Sequence, residues 1–246
     1  MLITKSTIIQ TAEKYPIKGF VPNSLTDWDG KVSSVIFLAG CNFRCKYCHN
    51  KNLVERFDLL EDVSIKNIKD YLVKNSDFID GVVITGGEPC MYSWINELCQ
   101  EIKSLGFDIK LETNGSFPEK LHELINLKLV DFVAMDLKSS FENYQNIVNS
   151  EVNIEKIKQS ILILKEFGNY EFRITMFPEI EKEDLIKISS YLKQAQANKA
   201  LFLQQFRNEN CLDDQANSIK PYQKEQLESF LELIKQDFVK SGLRNL

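Results

Sequence analysis

Six short, mostly apolar runs alternate along this chain with longer stretches whose apolar residues recur at helical spacing, and that alternation limits the fold most. The runs are Ser34–Ala39, Gly81–Thr85, Phe107–Leu111, Val130–Asp136, Glu171–Met176 and Ala200–Phe206. Helix-like stretches follow at Ser64–Asn75, Ser93–Leu105, Pro118–Leu127, Glu151–Phe167, Glu181–Ala195 and Tyr222–Phe238. Gly106 and Gly168 read as helix stops, and Ser93 and Pro118 as starts. Strand–helix units in series predict an α/β protein with a parallel sheet. Right-handed crossovers then bring the strand C-terminal ends to one rim, where a functional site is expected.

The unusual residues fall at those ends. Cys41 follows the first run, Gly86, Gly87 and Glu88 the second, and Glu112, Thr113, Asn114 and Gly115 the third. Asp136 and Lys138 follow the fourth, Arg173 lies in the fifth, and Gln204 and Gln205 in the sixth. No repeat or linker-like tract divides the 246 residues, so one domain over 1–246 is expected, with a lead-in over 1–33 and a terminal loop and helix over 207–246. Thirty Lys and Arg against 35 Asp and Glu give a net charge of −5, which argues against nucleic acid as a partner. The first fifteen residues lack a leader pattern, and no apolar run is long enough to span a membrane. A cytoplasmic setting follows as the expectation, with reduced thiols.

Cys41, Cys45 and Cys48 stand in a C-x3-C-x2-C loop. Cys45–His49 also spells the haem-attachment string C-x-x-C-H, but that reading requires export and leaves Cys41 idle. A zinc site of three Cys and His49 lacks a second, distant ligand pair. A redox pair again omits Cys41. An iron–sulfur cluster with three protein ligands and one open iron accounts for all three thiols.

This loop resembles the signature of the radical S-adenosylmethionine (SAM) enzymes. The wider pattern is similar to one branch, the activating proteins of anaerobic ribonucleoside-triphosphate reductase, related to pyruvate formate-lyase activating enzyme. The likeness runs from about Gly19 onward through Ser24–Gly30, Phe37–Cys41, Gly86–Pro89, Thr113–Gly115, Asp136–Lys138, Glu171–Arg173 and Leu203–Phe206. It implies a partial (β/α)6 TIM-like barrel and a [4Fe–4S] cluster held by Cys41, Cys45 and Cys48. It also implies reductive cleavage of SAM to methionine and a 5′-deoxyadenosyl radical. The expected partners are a large glycyl-radical enzyme, the anaerobic ribonucleotide reductase, and flavodoxin or ferredoxin as electron donor.

On the same resemblance Gly86, Gly87 and Glu88 meet the amine end of SAM, and Lys138 meets its carboxylate. Asp136 contacts ribose, or holds a monovalent cation with residues near Thr113; Glu112 stands where the activators more often carry Asp. Tyr47 and the backbone at Cys48 and His49 pack on the adenine, with core packing as the alternative for Tyr47. Alternation turns Arg173 inward, where an inward guanidinium needs an anion, either the SAM carboxylate or a neighbouring acid. Only one of Gln204 and Gln205 can face inward. Cys99 and His122 read as structural, Cys90 as lying near the site, and Asn208–Lys220 as a rim loop or a plain connection.

Two other functions stay open on the sequence. A small-molecule enzyme resembling 7-carboxy-7-deazaguanine synthase shares Gly-Gly-Glu-Pro and Glu-Thr-Asn-Gly. A non-enzymatic iron–sulfur or zinc protein leaves the polar set at the strand ends unexplained.

Overall fold

The alternation folds into one eight-stranded sheet whose spatial order follows the chain, β1 to β8. The structure, a computed structural model, describes residues 14–245; the leader reading therefore falls largely outside the described residues. The strands are β1 (Ile17–Ser24), β2 (Ser33–Leu38), β3 (Gly81–Gly86), β4 (Asp108–Thr113), β5 (Phe132–Asp136), β6 (Tyr170–Met176), β7 (Ala200–Gln205) and β8 (Lys240–Arg244). Pairs from β2 to β8 are parallel, while β1 runs antiparallel to β2. The six anticipated runs become β2 to β7, so the fold is the expected α/β barrel, incomplete and parallel-stranded.

Two strands escaped the sequence reading, both at edges. β1 carries Pro22, register shifts and an exposed stretch, features confined to edge strands. The lead-in assigned to 1–33 thus contains a strand. β8 (Lys-Ser-Gly-Leu-Arg) has no apolar run to mark it.

The outer layer comprises α1 (Lys51–Glu55), α2 (Ile65–Lys74), α3 (Ile95–Lys103), α4 (Pro118–Asn126), α5 (Tyr144–Val148), α6 (Ile154–Phe167), α7 (Lys182–Gln194) and α8 (Lys224–Ile234). α6 shows how local sequence fixes such an element. The Asn153 side chain accepts from the backbone N–H groups of Glu155 and Lys156 at its start, and Gly168 ends it in the left-handed region at φ 77°. Its buried stripe of Ile157, Ile161 and Leu164 joins the core between helices and sheet. α3 begins after Trp94, so Ser93 is not its cap. No helix among the described residues is long and apolar enough to cross a membrane.

In-register neighbours in a parallel sheet share a face, so the pairings identify the barrel interior. Val35, Val83, Lys110 and Phe132 form one row; Glu112, Ala134 and Glu171 the next; Asp136, Arg173 and Phe202 the one above. Trp28 packs with Val35, Val83 and Phe132 as a separate apolar plug. Asp29, beside it, pairs with Lys240 at 3.1 Å and Arg244 at 3.0 Å, linking the β1–β2 connection to β8. Gln204 shares the inward row with Thr175, while Gln205 faces the other way and donates to the carbonyls of Phe206 and Tyr222.

Candidate active site

The cysteine loop leaves the end of β2 and is shaped by backbone bonds that need no ligand. Gly40 N–H donates to the Leu53 carbonyl of α1 at 2.7 Å. Arg44 N–H reaches Val148 O at 2.9 Å, at the end of α5. The Arg44 guanidinium donates to the carbonyls of Cys41 and Phe43. Tyr92 Oη donates to Ala39 O at 2.6 Å. Above the loop, Asp213 N–H donates to Lys46 O, and His49 Nε2 stands 2.8 Å from Arg207 O. The 208–220 segment is thus packed onto the cysteine loop. His49, turned toward Arg207, stacks near Phe206 rather than joining the thiols.

Cys41, Cys45 and Cys48 line one cavity of about 180 Å³ at the strand C-terminal ends. With them stand Tyr47, Gly86, Gly87, Thr113, Asp136 and Lys138, all expected there, and Asn50, Thr85, Glu112 and Asn114. Glu88, Arg173 and His49 are absent from its walls. Burial pushes the Cys41 thiol up to about 11, with the Glu88 charge adding to it, and the Cys45 thiol up to about 12. Burial raises Cys48 as well. Such thiols lose their protons to a bound metal centre rather than to the protein's own field. Among the described residues, no three His, Cys, Asp or Glu side chains are gathered closely enough to hold a single metal ion.

The two glycines are explained by neighbouring backbone. Gly86 has φ 118°, and a Cβ on Gly87 would stand 1.6 Å from the Gly40 carbonyl oxygen. Their absent side chains let Gly87 N–H donate to Leu38 O and Glu88 N–H to Gly40 O, fastening the end of β3 against the root of the cysteine loop.

Glu88 lies behind that contact, fully buried. It accepts from Cys90 N–H at 2.9 Å, Thr113 Oγ1 at 2.7 Å and Asn114 N–H at 2.7 Å. Burial raises its pKa, and these three donors oppose the rise. The carboxylate expected at an ammonium therefore ties the β3 and β4 rim loops together instead. Asn114 relays this to the cysteines, its amide 3.9 Å from Cys41 Sγ and 2.9 Å from Asn42 Oδ1. Cys90 is buried beside Glu88 and Cys99 lies in the core, both with thiols raised by burial. His122 sits exposed on α4 against Asn126.

Asp136, Lys138 and Glu112 form the charged floor of the cavity, and Arg173 lies behind them, paired with both acids. Arg173 Nε donates to Asp136 at 2.8 Å, its other arm reaches Glu112, and Lys138 Nζ meets Asp136 at 3.1 Å. Of the two anions considered for Arg173, the structure supplies the neighbouring acids. Burial would raise the Asp136 pKa, but Arg173 and Lys138 outweigh it and hold it at about 2. Glu112 is likewise lowered by Arg173 against the cost of burial. Both carboxylates are thus paired with protein cations, Asp136 with Arg173 and Lys138, and Glu112 with Arg173. Lys138 keeps donors unspent and stands 6.0 Å from the Tyr47 ring centroid. The Tyr47 ring is buried, packs on Phe177 at 5.4 Å, and also lines the cavity. Its hydroxyl and that of Tyr144 are buried without partners.

Residues 35–192 match the family model of the radical SAM superfamily. A protein of Methanocaldococcus jannaschii, provisionally named a glycyl-radical enzyme activating enzyme, is 35% identical over 207 residues, covering 81% of this chain and 83% of that one. The 7-carboxy-7-deazaguanine synthase of Clostridium acetobutylicum is 32% identical over 169 residues, covering 65% of this chain and 73% of that one. In fold, the chain is similar to Streptococcus suis SuiB bound to its precursor peptide SuiA, with TM-score 0.63 and 15% identity. That match covers 85% of this chain but only 48% of SuiB, so the chain spans about half of that protein.

Proposed function

From the premise that this chain belongs to the radical SAM superfamily, we propose that it is a glycyl-radical enzyme activase acting on an anaerobic ribonucleotide reductase. The observation that carries the reading is the cavity itself, in which three thiols share a space with a partly free lysine at the strand C-terminal ends. Three thiols lining one cavity suit ligands that each take a different iron of a [4Fe–4S] cluster. Such a cluster, when bound, supplies the electron that reductively cleaves SAM to methionine and a 5′-deoxyadenosyl radical.

The chain's own residues position the reactants. Lys138 offers its remaining N–H donors to the SAM carboxylate. Gly86 and Gly87 present the β3-end backbone to the amine end of SAM. Tyr47 and the strand-end backbone wall the adenosine, excluding water from a site where a radical forms. Asp136 and Arg173 hold Lys138 in place, and Glu88 fixes the rim loops on which the pocket rests.

A cytoplasmic, oxygen-poor setting and a flavodoxin or ferredoxin donor complete the reading. The second reading, a 7-carboxy-7-deazaguanine-forming enzyme, is favoured by the Clostridium relative and by Glu112. The test is anaerobic reconstitution, reduction with SAM present, and addition of the reductase. A glycyl radical on the reductase by electron paramagnetic resonance supports the activase. SAM cleavage without that radical, and with a 7-deazaguanine product when precursor is supplied, supports the second reading.

A further inference from the structure

Charged side chains of alternating sign run through the barrel interior from its closing clasp to the cavity. Asp29 meets Arg244 at 3.0 Å. Arg244 holds Glu171 with two prongs, at 2.7 and 2.9 Å. Glu171 is 3.4 Å from Lys110, and Lys110 is 3.7 Å from Glu112. Glu112 pairs with Arg173, Arg173 with Asp136, and Asp136 with Lys138. Lys110, Glu171 and Arg173 are all more than nine-tenths buried, so water screens these contacts little.

Lys110 is the adjustable member. Its one short bond goes to the Asp27 carbonyl at 2.6 Å, and it stands between two acids at similar, longer distances. Arg244, by contrast, is fixed, with its guanidinium 3.7 Å from the Phe202 ring centroid.

We propose that Arg244, on the last strand, is a positioning residue for SAM, setting through this ladder how much of the Lys138 charge is free. The inference rests on Lys138 binding the SAM carboxylate. Without Arg244, Glu171 draws Lys110 away from Glu112. Glu112 then pulls harder on Arg173, Asp136 is left more dependent on Lys138, and Lys138 has less to offer the ligand. The effect alternates along the ladder, so neutralising the next acid reverses it.

The test is SAM affinity by calorimetry on anaerobically reconstituted protein, with iron content and melting temperature measured alongside. Arg244→Gln weakens SAM binding by roughly threefold to tenfold at unchanged iron content. Adding Glu171→Gln to it restores the affinity, although the contact with Asp29 is still missing. Lys240→Met, which removes the other Asp29 contact but no rung, leaves affinity unchanged. Should Arg244→Gln fail to fold, Arg244→Lys, which keeps the charge and loses one prong, gives an intermediate affinity. Unchanged affinity in a folded Arg244→Gln protein, no restoration by Glu171→Gln, or an equal loss with Lys240→Met would overturn the relay. Wild-type protein that binds no SAM would instead overturn the functional reading beneath it.

Discussion

The barrel interior carries similar charges at both ends but uses them differently. Around Arg244, Glu171 accepts two prongs, Asp29 has two cationic partners, and Phe202 covers the guanidinium. Around Lys138, the same kinds of group form a chain that ends in a cation with donors to spare, beside a cavity lined by three thiols. A saturated ion-pair network closes a barrel; an unsaturated one, at the rim, can hold a ligand. What separates the two is the count of partners, not the residue types.

The sharpest way to break the rim is through its backbone. Gly87→Ala puts a methyl group into the Gly40 carbonyl and is expected to cost on the order of 4 kcal/mol, read as lost soluble yield or a collapsed melting temperature. Next comes a matched pair of lysines. Lys110→Met breaks a buried network and should cost about 3 kcal/mol of stability in chemical denaturation. Lys138→Met should leave stability within about 1 kcal/mol and weaken SAM binding by roughly tenfold or more, with iron content intact. If the two exchanged behaviours, the contrast between the ends would be wrong. Thr113→Val removes one donor from Glu88 and should cost about 1–2 kcal/mol.

The smallest effect is in pH. Asp136 has a folded pKa of about 2, below the usual aspartate range, so its pairing contributes stability that is complete above about pH 4 and lost as pH falls toward 2. Denaturation of wild type and Asp136→Asn across that range should show a difference that is constant above pH 4 and shrinks below it.

How much of this was legible in the sequence follows from what each feature depends on. β2 to β7 announce themselves because strands covered on both faces must be apolar runs. β1 and β8 do not, since edge strands tolerate Pro22 and the charges of Lys240 and Arg244. The residues around the cavity were legible as strand-end outliers, and Arg173 was legible as inward by alternation. Glu88 was misplaced because a carboxylate after two glycines looks the same in sequence whether it faces a ligand or three buried donors. Asn50 gave no signal, and Asn114 was legible only as a strand-end residue, since an amide's partner is set by how loops meet. The ladder from Asp29 to Lys138 joins residues more than a hundred positions apart, and only the barrel brings them together.

The most direct measurement is chromatography for 5′-deoxyadenosine after anaerobic reconstitution with iron and sulfide, then reduction with SAM present. It should be run on wild type and on Cys41→Ser, Cys45→Ser and Cys48→Ser. Wild type is expected to release deoxyadenosine and the three variants none, each variant still folded because backbone bonds shape the loop. Any single cysteine variant retaining wild-type cleavage, or folded wild type forming a cluster yet releasing no deoxyadenosine, would contradict it.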